Sequence, residues 1–445
     1  MKLLILLLIL SGTARAAEFS VTLKDAEESA LAVSNQYRGA KFSAEAARAA
    51  AAASGSLLNP RLSLEGSLRY NHVVPTMALP AIMGGPRPLG DNWNYSIGPS
   101  AYWTLDGGSL RDGREAARHT AAGRSSEAEN ARRQVLLKAR VSYFQLQLAL
   151  EKVYIIAENL QVALSQLKDV ELGVKAGSRS RLDGIRARQE TTARRRDLLR
   201  ARAELSSVLR DFSFVTGLEP PAGTGLPLDA RMAGKDYGGE TFAGLLVKAE
   251  PYEQMLSRLM PAADRGLGQD LPAVTALSES AAAYRASASA RKADRLPRLT
   301  FSARSSVDYP NGPNLYSFLQ NSAGVSLSLS LFESGRLSDQ EKESRLNAEA
   351  ADQRRDEAAR AAGRDFASAQ DSYGALMEEQ ALNIDALDDA EEAAKLAYEA
   401  YKAGAGTWLE VESANLKALQ AKTTAASSNA EILIKLALLD SLSEN

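Results

Sequence analysis

The sequence predicts a mainly α-helical chain with a small β part, laid out twice on one plan, and three observations carry that reading. The chain matches itself at a constant offset of 227 residues: Gly108 falls on Gly335, Arg133 on Arg360, Glu151 on Glu378, Lys175-Ala176-Gly177 on Lys402-Ala403-Gly404, Leu182 on Leu409, Asp183 on Glu410 and Leu209 on Leu436. Between Gly108 and Gly177, and again between Gly335 and Gly404, no proline occurs and Ala, Leu, Arg, Glu and Gln dominate. An unbroken helix of that length would reach on the order of 100 Å. Each such stretch is preceded by two segments in which apolar residues alternate with a period of two, the mark of half-buried strands.

The elements follow in order. Residues 1–16 combine Lys2, an apolar run from Leu3 to Leu10 and Ala14-Arg15-Ala16 before Ala17, the pattern of a secretory signal peptide. The apolar run is too short to cross a bilayer as a helix. Residues 17–216 form the first structural repeat. Its opening helix, Leu23 to Leu57, is ended by Asn59-Pro60, and a β-hairpin over 61–105 follows. The strands of that hairpin are Arg61 to Tyr70 and Trp93 to Leu105, joined by a Pro- and Gly-rich loop, and a long helical hairpin completes the repeat. Residues 217–275 are a connector rich in Pro and Gly, with one short helix expected from Glu240 to Ala249. Residues 276–445 repeat the plan: a helix from near Ala276 to Leu296-Pro297, a β-hairpin over 298–332, and a second helical hairpin. Gly324 to Phe332 is the cleanest strand by pattern, with Val325, Leu327, Leu329 and Leu331 on one face and serines on the other.

The long helices carry a coiled-coil seam. Val153, Leu160, Leu167 and Val174 recur every seven residues, flanked by Ile156, Ala163 and Val170. In the second copy Tyr373, Leu387, Ala394 and Tyr401 keep the step, with Gln380 interrupting it. Small residues dominate there, which lets helices lie close together.

Composition excludes several functions. A formal net charge of −2 gives no general attraction to nucleic acid. With no cysteine there is neither a disulfide nor a lipid-anchor thiol. The two histidines, His72 and His119, have no metal-ligand spacing, so no metal and no cofactor is expected. No nucleophile elbow or phosphate-binding glycine loop appears, and an enzyme is not expected.

Strands of this length and alternation fit both a soluble hairpin and an outer-membrane barrel strand of about 9–11 residues. Two hairpins cannot close a sheet alone, and open edges are not tolerated in hydrocarbon. Four strands per chain therefore call for partners, and sister chains are the natural supply.

The order helix, proline, strand, loop, strand ending in Leu331-Phe-Glu-Ser-Gly335, long helix, then Tyr401-Lys-Ala-Gly404 with Leu409-Glu410-Val411, resembles the TolC family of outer-membrane channel proteins. The first copy offers Thr104-Leu-Asp-Gly-Gly108, Lys175-Ala-Gly177 and Leu182-Asp183. The resemblance implies a homotrimer whose four strands per protomer close one β-barrel in outer-membrane lipid, with a helical tunnel in the periplasm. It also implies a passive exit duct that docks on a periplasmic adaptor (membrane fusion) protein and an inner-membrane efflux pump or ABC transporter, serving drug efflux or type I secretion. A periplasmic coiled-coil adaptor or structural protein without a barrel is the alternative.

The resemblance also points to site residues. The turns after Gly177 and Gly404 would form the tunnel's periplasmic tip and adaptor-docking surface, with Leu182 and Leu409 packing the start of each returning helix. Tyr401, Asp183 and Glu410 stand where relatives close the entrance. Gly406 occupies the place of an arginine and Ser413 that of an acid, so Arg179 and Arg181 are the candidate replacement cations. The halves also differ in charge: Asp106 to Asp211 holds 21 Lys/Arg against 14 Asp/Glu, and Glu333 to Asp440 holds 12 against 22. Alternating basic and acidic hairpins around a ring would attract one another, more weakly at high salt.

Overall fold

A computed structural model describes residues 18–80, 82, 85–221, 225–235, 237 and 244–443. The expected signal peptide at 1–16 lies outside them. The chain runs β1 (Glu18–Ser20), α1 (Leu23–Val33), α2 (Asn35–Ser56), β2 (Arg61–Tyr70), β3 (Thr76–Met77), β4 (Arg87–Pro88), β5 (Trp93–Leu105), α3 (Ser109–Lys175) and α4 (Arg181–Thr216). It continues β6 (Leu228–Asp229), β7 (Leu246–Lys248), α5 (Tyr252–Leu259), α6 (Pro272–Ala293), β8 (Arg298–Tyr309), β9 (Phe318–Ser328), α7 (Arg336–Ala403) and α8 (Trp408–Leu442). The fold is mainly α with a small β part, and none of the described helices is long and apolar enough to cross a membrane.

Two compact units form, and each draws on both halves of the sequence. The first holds residues up to Arg38, Asn130–Leu271 and Arg360 onward; the second holds Gly39–Glu129 and Pro272–Ala359.

In the first unit the core gathers Tyr143, Phe144, Leu205, Phe212, Met255 and Leu433, all fully buried. Tyr143 organises it: its hydroxyl donates to the Val21 carbonyl at 3.0 Å and accepts from the Glu250 backbone N–H at 2.8 Å. One buried phenol thus ties α3 to the segments flanking a three-stranded parallel sheet of order β1-β7-β6. Nearby, Arg140 of α3 bridges Glu27 of α1 and Asp440 of α8, at 2.5 Å each.

Three expectations need correction here. The helix expected over Glu240 to Ala249 is not formed where the structure describes it: Leu246–Lys248 is strand β7, paired with both β1 and β6, and this pairing overrides local helix preference. Residues 240–243 lie outside the described residues. The single helix expected from Leu23 to Leu57 is broken at Ser34, which leaves helical conformation and whose hydroxyl accepts the Tyr37 N–H at 3.2 Å, starting α2 afresh.

The third correction lies in the second unit, where β9 spans Phe318–Ser328 rather than Gly324 to Phe332. The ladder of β8 ends at Arg298 opposite Ser328, because Pro297 has no N–H to extend it. This unit contains an antiparallel four-stranded sheet of order β2-β5-β8-β9, and its helices are tied by side-chain bonds. His119 Nδ1 lies 2.7 Å from Glu279 of α6, Ser109 donates to Asp294 at 2.6 Å, and Arg295 pairs with Glu341 at 2.6 Å. His119 is thus a structural tie, and among the described residues no cluster of His, Asp or Glu is arranged to hold a metal.

Phe212 has no exposed surface, and its ring lies 6.2 Å from that of Tyr143. Phe212→Ala is expected to cost about 3–5 kcal/mol, read as a lowered denaturation midpoint of the purified protein, whereas the exposed Phe214→Ala should leave it unchanged.

Candidate functional site

The four-stranded sheet shows its apolar side to the exterior. Register places Leu62, Ala101, Ala303 and Ala323 in one row, Gly66, Ile97, Val307 and Leu319 in another, and Leu105, Leu299 and Leu327 in a third. All sit on one face, and the large ones are exposed, Leu62 at 77% and Leu327 at 65%. The other face is polar and bonded within itself. Ser63 and Ser100 share a hydrogen bond of 2.8 Å, Ser96 donates to Asp308 at 2.5 Å, and Arg304 donates to Ser96 at 2.7 Å while lying 3.8 Å from Glu65. A sheet in water buries its apolar face; this one inverts that rule.

Aromatic pairs mark both ends of the apolar band. At the loop end Tyr70 meets Trp93 at 5.0 Å and Tyr95 stacks on Tyr309 at 5.2 Å; at the helix end Trp103 lies 5.8 Å from Phe301. The eight residue-to-residue steps from Tyr95 to Trp103 span about 27 Å of strand, close to the ~25 Å apolar band of an outer-membrane barrel with its aromatic girdles. Among the described residues the outer edges of β2 and β9 have no strand partner.

The second candidate region, in the first unit, comprises the turns that join α3 to α4 and α7 to α8. Both are Schellman turns of one geometry. Ser178 N–H bonds to Gly173 O at 2.9 Å and Gly177 N–H to Val174 O at 3.1 Å; at the same offset, Ala405 bonds to Ala400 O at 2.9 Å and Gly404 to Tyr401 O at 3.1 Å. Gly177 and Gly404 have φ of 74° and 79°, left-handed values that a side chain disfavours. Ser180 caps α4 by accepting from Asp183 N–H at 3.1 Å, and Thr407 caps α8 reciprocally with Glu410.

The turns differ in what they exchange. Arg179 of the first reaches the second, where it donates to Lys402 O at 2.7 Å and lies 4.4 Å from the centre of the Tyr401 ring. Tyr401 in turn meets Trp408 edge-on at 5.2 Å, over a small core with Val170, Ala187 and Val411. At the position equivalent to Arg179 the second turn has Gly406, and at that of Tyr401 the first has Val174, so each turn supplies half of the contact. Gly173 makes room for it: a Cβ there would stand 2.4 Å from Arg179 Cγ. A second link joins the hairpins where Tyr398 donates to Asp169 at 2.6 Å. Burial, then the Asp183 carboxylate, raise the Tyr401 pKa above the usual phenol value, so the hydroxyl stays neutral.

The structure therefore brings Arg179, Tyr401 and Asp183 together. Arg181 and Glu410 stand apart from them: Arg181 is exposed, and Glu410 accepts from Thr407 N–H at 2.8 Å, which spends its carboxylate on its own helix. Leu182 and Leu409 do not pack the returning helices as expected, being 54% and 57% exposed. Trp408, Val411, Gly184 and Ala187 fill that role, because the side chain one position earlier on α8 faces inward. Gly173 and Trp408 were not foreseen; the available signal was a tryptophan directly after a threonine N-cap.

Above the turns a polar cluster is buried among α3, α4 and α8. Asn415 donates to Gln166 at 2.9 Å and to Glu190 Oε1 at 3.4 Å. Glu190 is 5% exposed, and its Oε2 has no partner among the described residues. Burial raises its pKa from 4.5, Asn415 and Arg194 oppose the shift, and Glu412 adds to it.

The sequence profile of the outer membrane efflux protein family matches residues 27–217 and 269–443. No curated protein sequence is significantly similar. Among solved structures, the outer-membrane channel OprN is 21% identical, with a TM-score of 0.73 over 94% of this chain and 89% of its own. The outer membrane protein VceC of Vibrio cholerae is 19% identical, with a TM-score of 0.71 over 94% and 95%. The MtrE outer membrane channel of Neisseria gonorrhoeae, in its open state, is 18% identical, with a TM-score of 0.69 over 94% and 88%. At these identities the likeness speaks to fold.

A raised Glu190 pKa makes the folded state bind a proton more tightly than the unfolded one. The stabilisation is complete below about 4.5 and is lost as pH rises through the folded value. Glu190→Gln is therefore expected to raise the thermal midpoint at neutral pH, with the gain shrinking as pH approaches 4.5; a gain independent of pH would contradict the assignment.

Proposed function

The chain belongs to the outer membrane efflux protein family, of TolC-like passive channels rather than enzymes, and we propose that three copies close one twelve-strand barrel in the outer membrane. The observation that carries this is the four-stranded sheet, with an exposed apolar face and two open edges. Its strands alternate in direction, so an antiparallel pairing of β9 with β2 of the next copy continues the pattern and leaves no edge in hydrocarbon. The polar face then lines the lumen.

In this reading residues 1–16 are a signal peptide, 17–216 and 276–445 are two structural repeats, and 217–275 is the connector around the tunnel. The helical hairpins form a periplasmic tunnel, and the chain is the exit duct of a tripartite efflux pump or type I secretion system. The exposed Leu182 and Leu409 at the turns are surfaces for the periplasmic adaptor, and the inner-membrane transporter supplies the energy. Arg179 on Tyr401 and Lys402 O, with Tyr398 on Asp169, holds the two hairpins of a protomer together in the closed entrance. Adaptor docking separates them.

Two measurements test this. In detergent, the mature chain is expected at three chain masses; a monomer would overturn the barrel. Arg179→Ala removes a cation–π contact and a charge-assisted hydrogen bond, on the order of 2 kcal/mol per protomer. In planar bilayers its open fraction should rise at least about tenfold, with Gly173→Ala giving the same phenotype and Arg181→Ala giving none. Unchanged conductance in Arg179→Ala would remove the latch.

A further inference from the structure

The outer flanks of α4 and α7 carry opposite charge in matching positions. On α7, Asp371, Glu378, Asp385, Glu392 and Glu399 recur at a strict seven-residue step, and every one is exposed. Among the described residues none of the five has an ion-pair partner. A seven-residue step drifts by ~20° per repeat on a straight helix, so such a row follows a neighbouring helix wound with it in a left-handed supercoil. Leu382 and Leu396 are exposed on the same stripe, as expected of a surface meant to be covered.

On α4 the exposed stripe reads Arg181, Ile185, Arg188, Arg196, Leu199 and Arg210. Arg188 pairs with Glu171, whereas Arg181, Arg196 and Arg210 have no acidic partner among the described residues. Arg200 and Asp389, both exposed and one turn on from Arg196 and Asp385, flank these stripes, and the two surfaces lie at matching depths. Arg196 stands about 22 Å along α4 from its start at the turn, and Asp389 about 21 Å back along α7 from its end at the turn. Arg200 and Asp385 match in the same way at about 28 Å.

We infer that the arginine stripe of α4 docks antiparallel against the acidic stripe of α7 on a neighbouring copy of this chain, pairing Arg196 with Asp389 and Arg200 with Asp385. The inference rests on the ring of copies proposed above and adds which helices meet across it. Charge sets the circular order: an α4 flank beside another α4, or an α7 beside another α7, would place like charges together. Single exposed pairs contribute little, but a repeated row adds up and also excludes the wrong neighbour.

The chain has no cysteine, which makes the test direct. Ala203→Cys and Leu382→Cys, at matching depths on the two stripes, are combined in one full-length chain and treated with a short thiol–thiol cross-linker. Dimers and trimers on a denaturing gel, absent from either single variant, are expected. Separately, Arg196→Glu with Arg200→Glu should lower trimer yield about tenfold, and adding Asp385→Arg with Asp389→Arg should restore it. An assembly of three chain masses that gives no cross-link, with Leu382→Cys open to a charged maleimide, would mean that the acids line an aqueous passage, and would overturn this pairing while leaving the ring intact. A wild-type chain of single mass overturns both.

Discussion

Backbone polarity in hydrocarbon is the constraint on which the rest depends. A strand edge offers a row of N–H and C=O groups, and inside a bilayer each group left unpaired costs several kcal/mol. The sheet β2-β5-β8-β9 is well paired within the chain yet leaves two such rows, next to a face of leucines, isoleucine and aromatics turned outward. Both features are faults in water, and in the proposed barrel lipid and sister strands would resolve both. The family match and the fold likeness agree with the proposed barrel.

The hairpin turns solve a different problem with the same economy. Two Schellman turns of equal geometry are made specific by exchanging residues: an arginine retained in the first, a tyrosine in the second, and a glycine where the arginine would be redundant. Gly173 belongs to this arrangement although it needs no unusual backbone angle. It is small because Arg179 folds back across it.

Much of this was legible in the sequence, for identifiable reasons. Arg61–Tyr70 and Trp93–Leu105 show their bounds in the sequence because strict alternation marks both and Pro60 sets the start of the first. The turn glycines were legible because positive φ selects them. The parallel sheet β1-β7-β6 was not, since strands of two or three residues are too short to leave a period, and their existence depends on partners far away in sequence. The packing role of Leu409 is illegible for a related reason. Repeat matching aligned it with Leu182 and suggested a shared packing role, but burial is set by helix phase, which turned Trp408 inward instead. The compact units also cut across the sequence halves, so homology of plan and contiguity of packing are different properties of this chain.

The exchange between Arg179 and Tyr401 bears on symmetry. A channel assembled from three such chains would have six nearly equivalent hairpins but only three internal clasps of this kind, one inside each chain. The other three seams would be held by different chemistry, between chains. Such an aperture is trigonal by construction, and its two sets of seams can yield independently, to different forces.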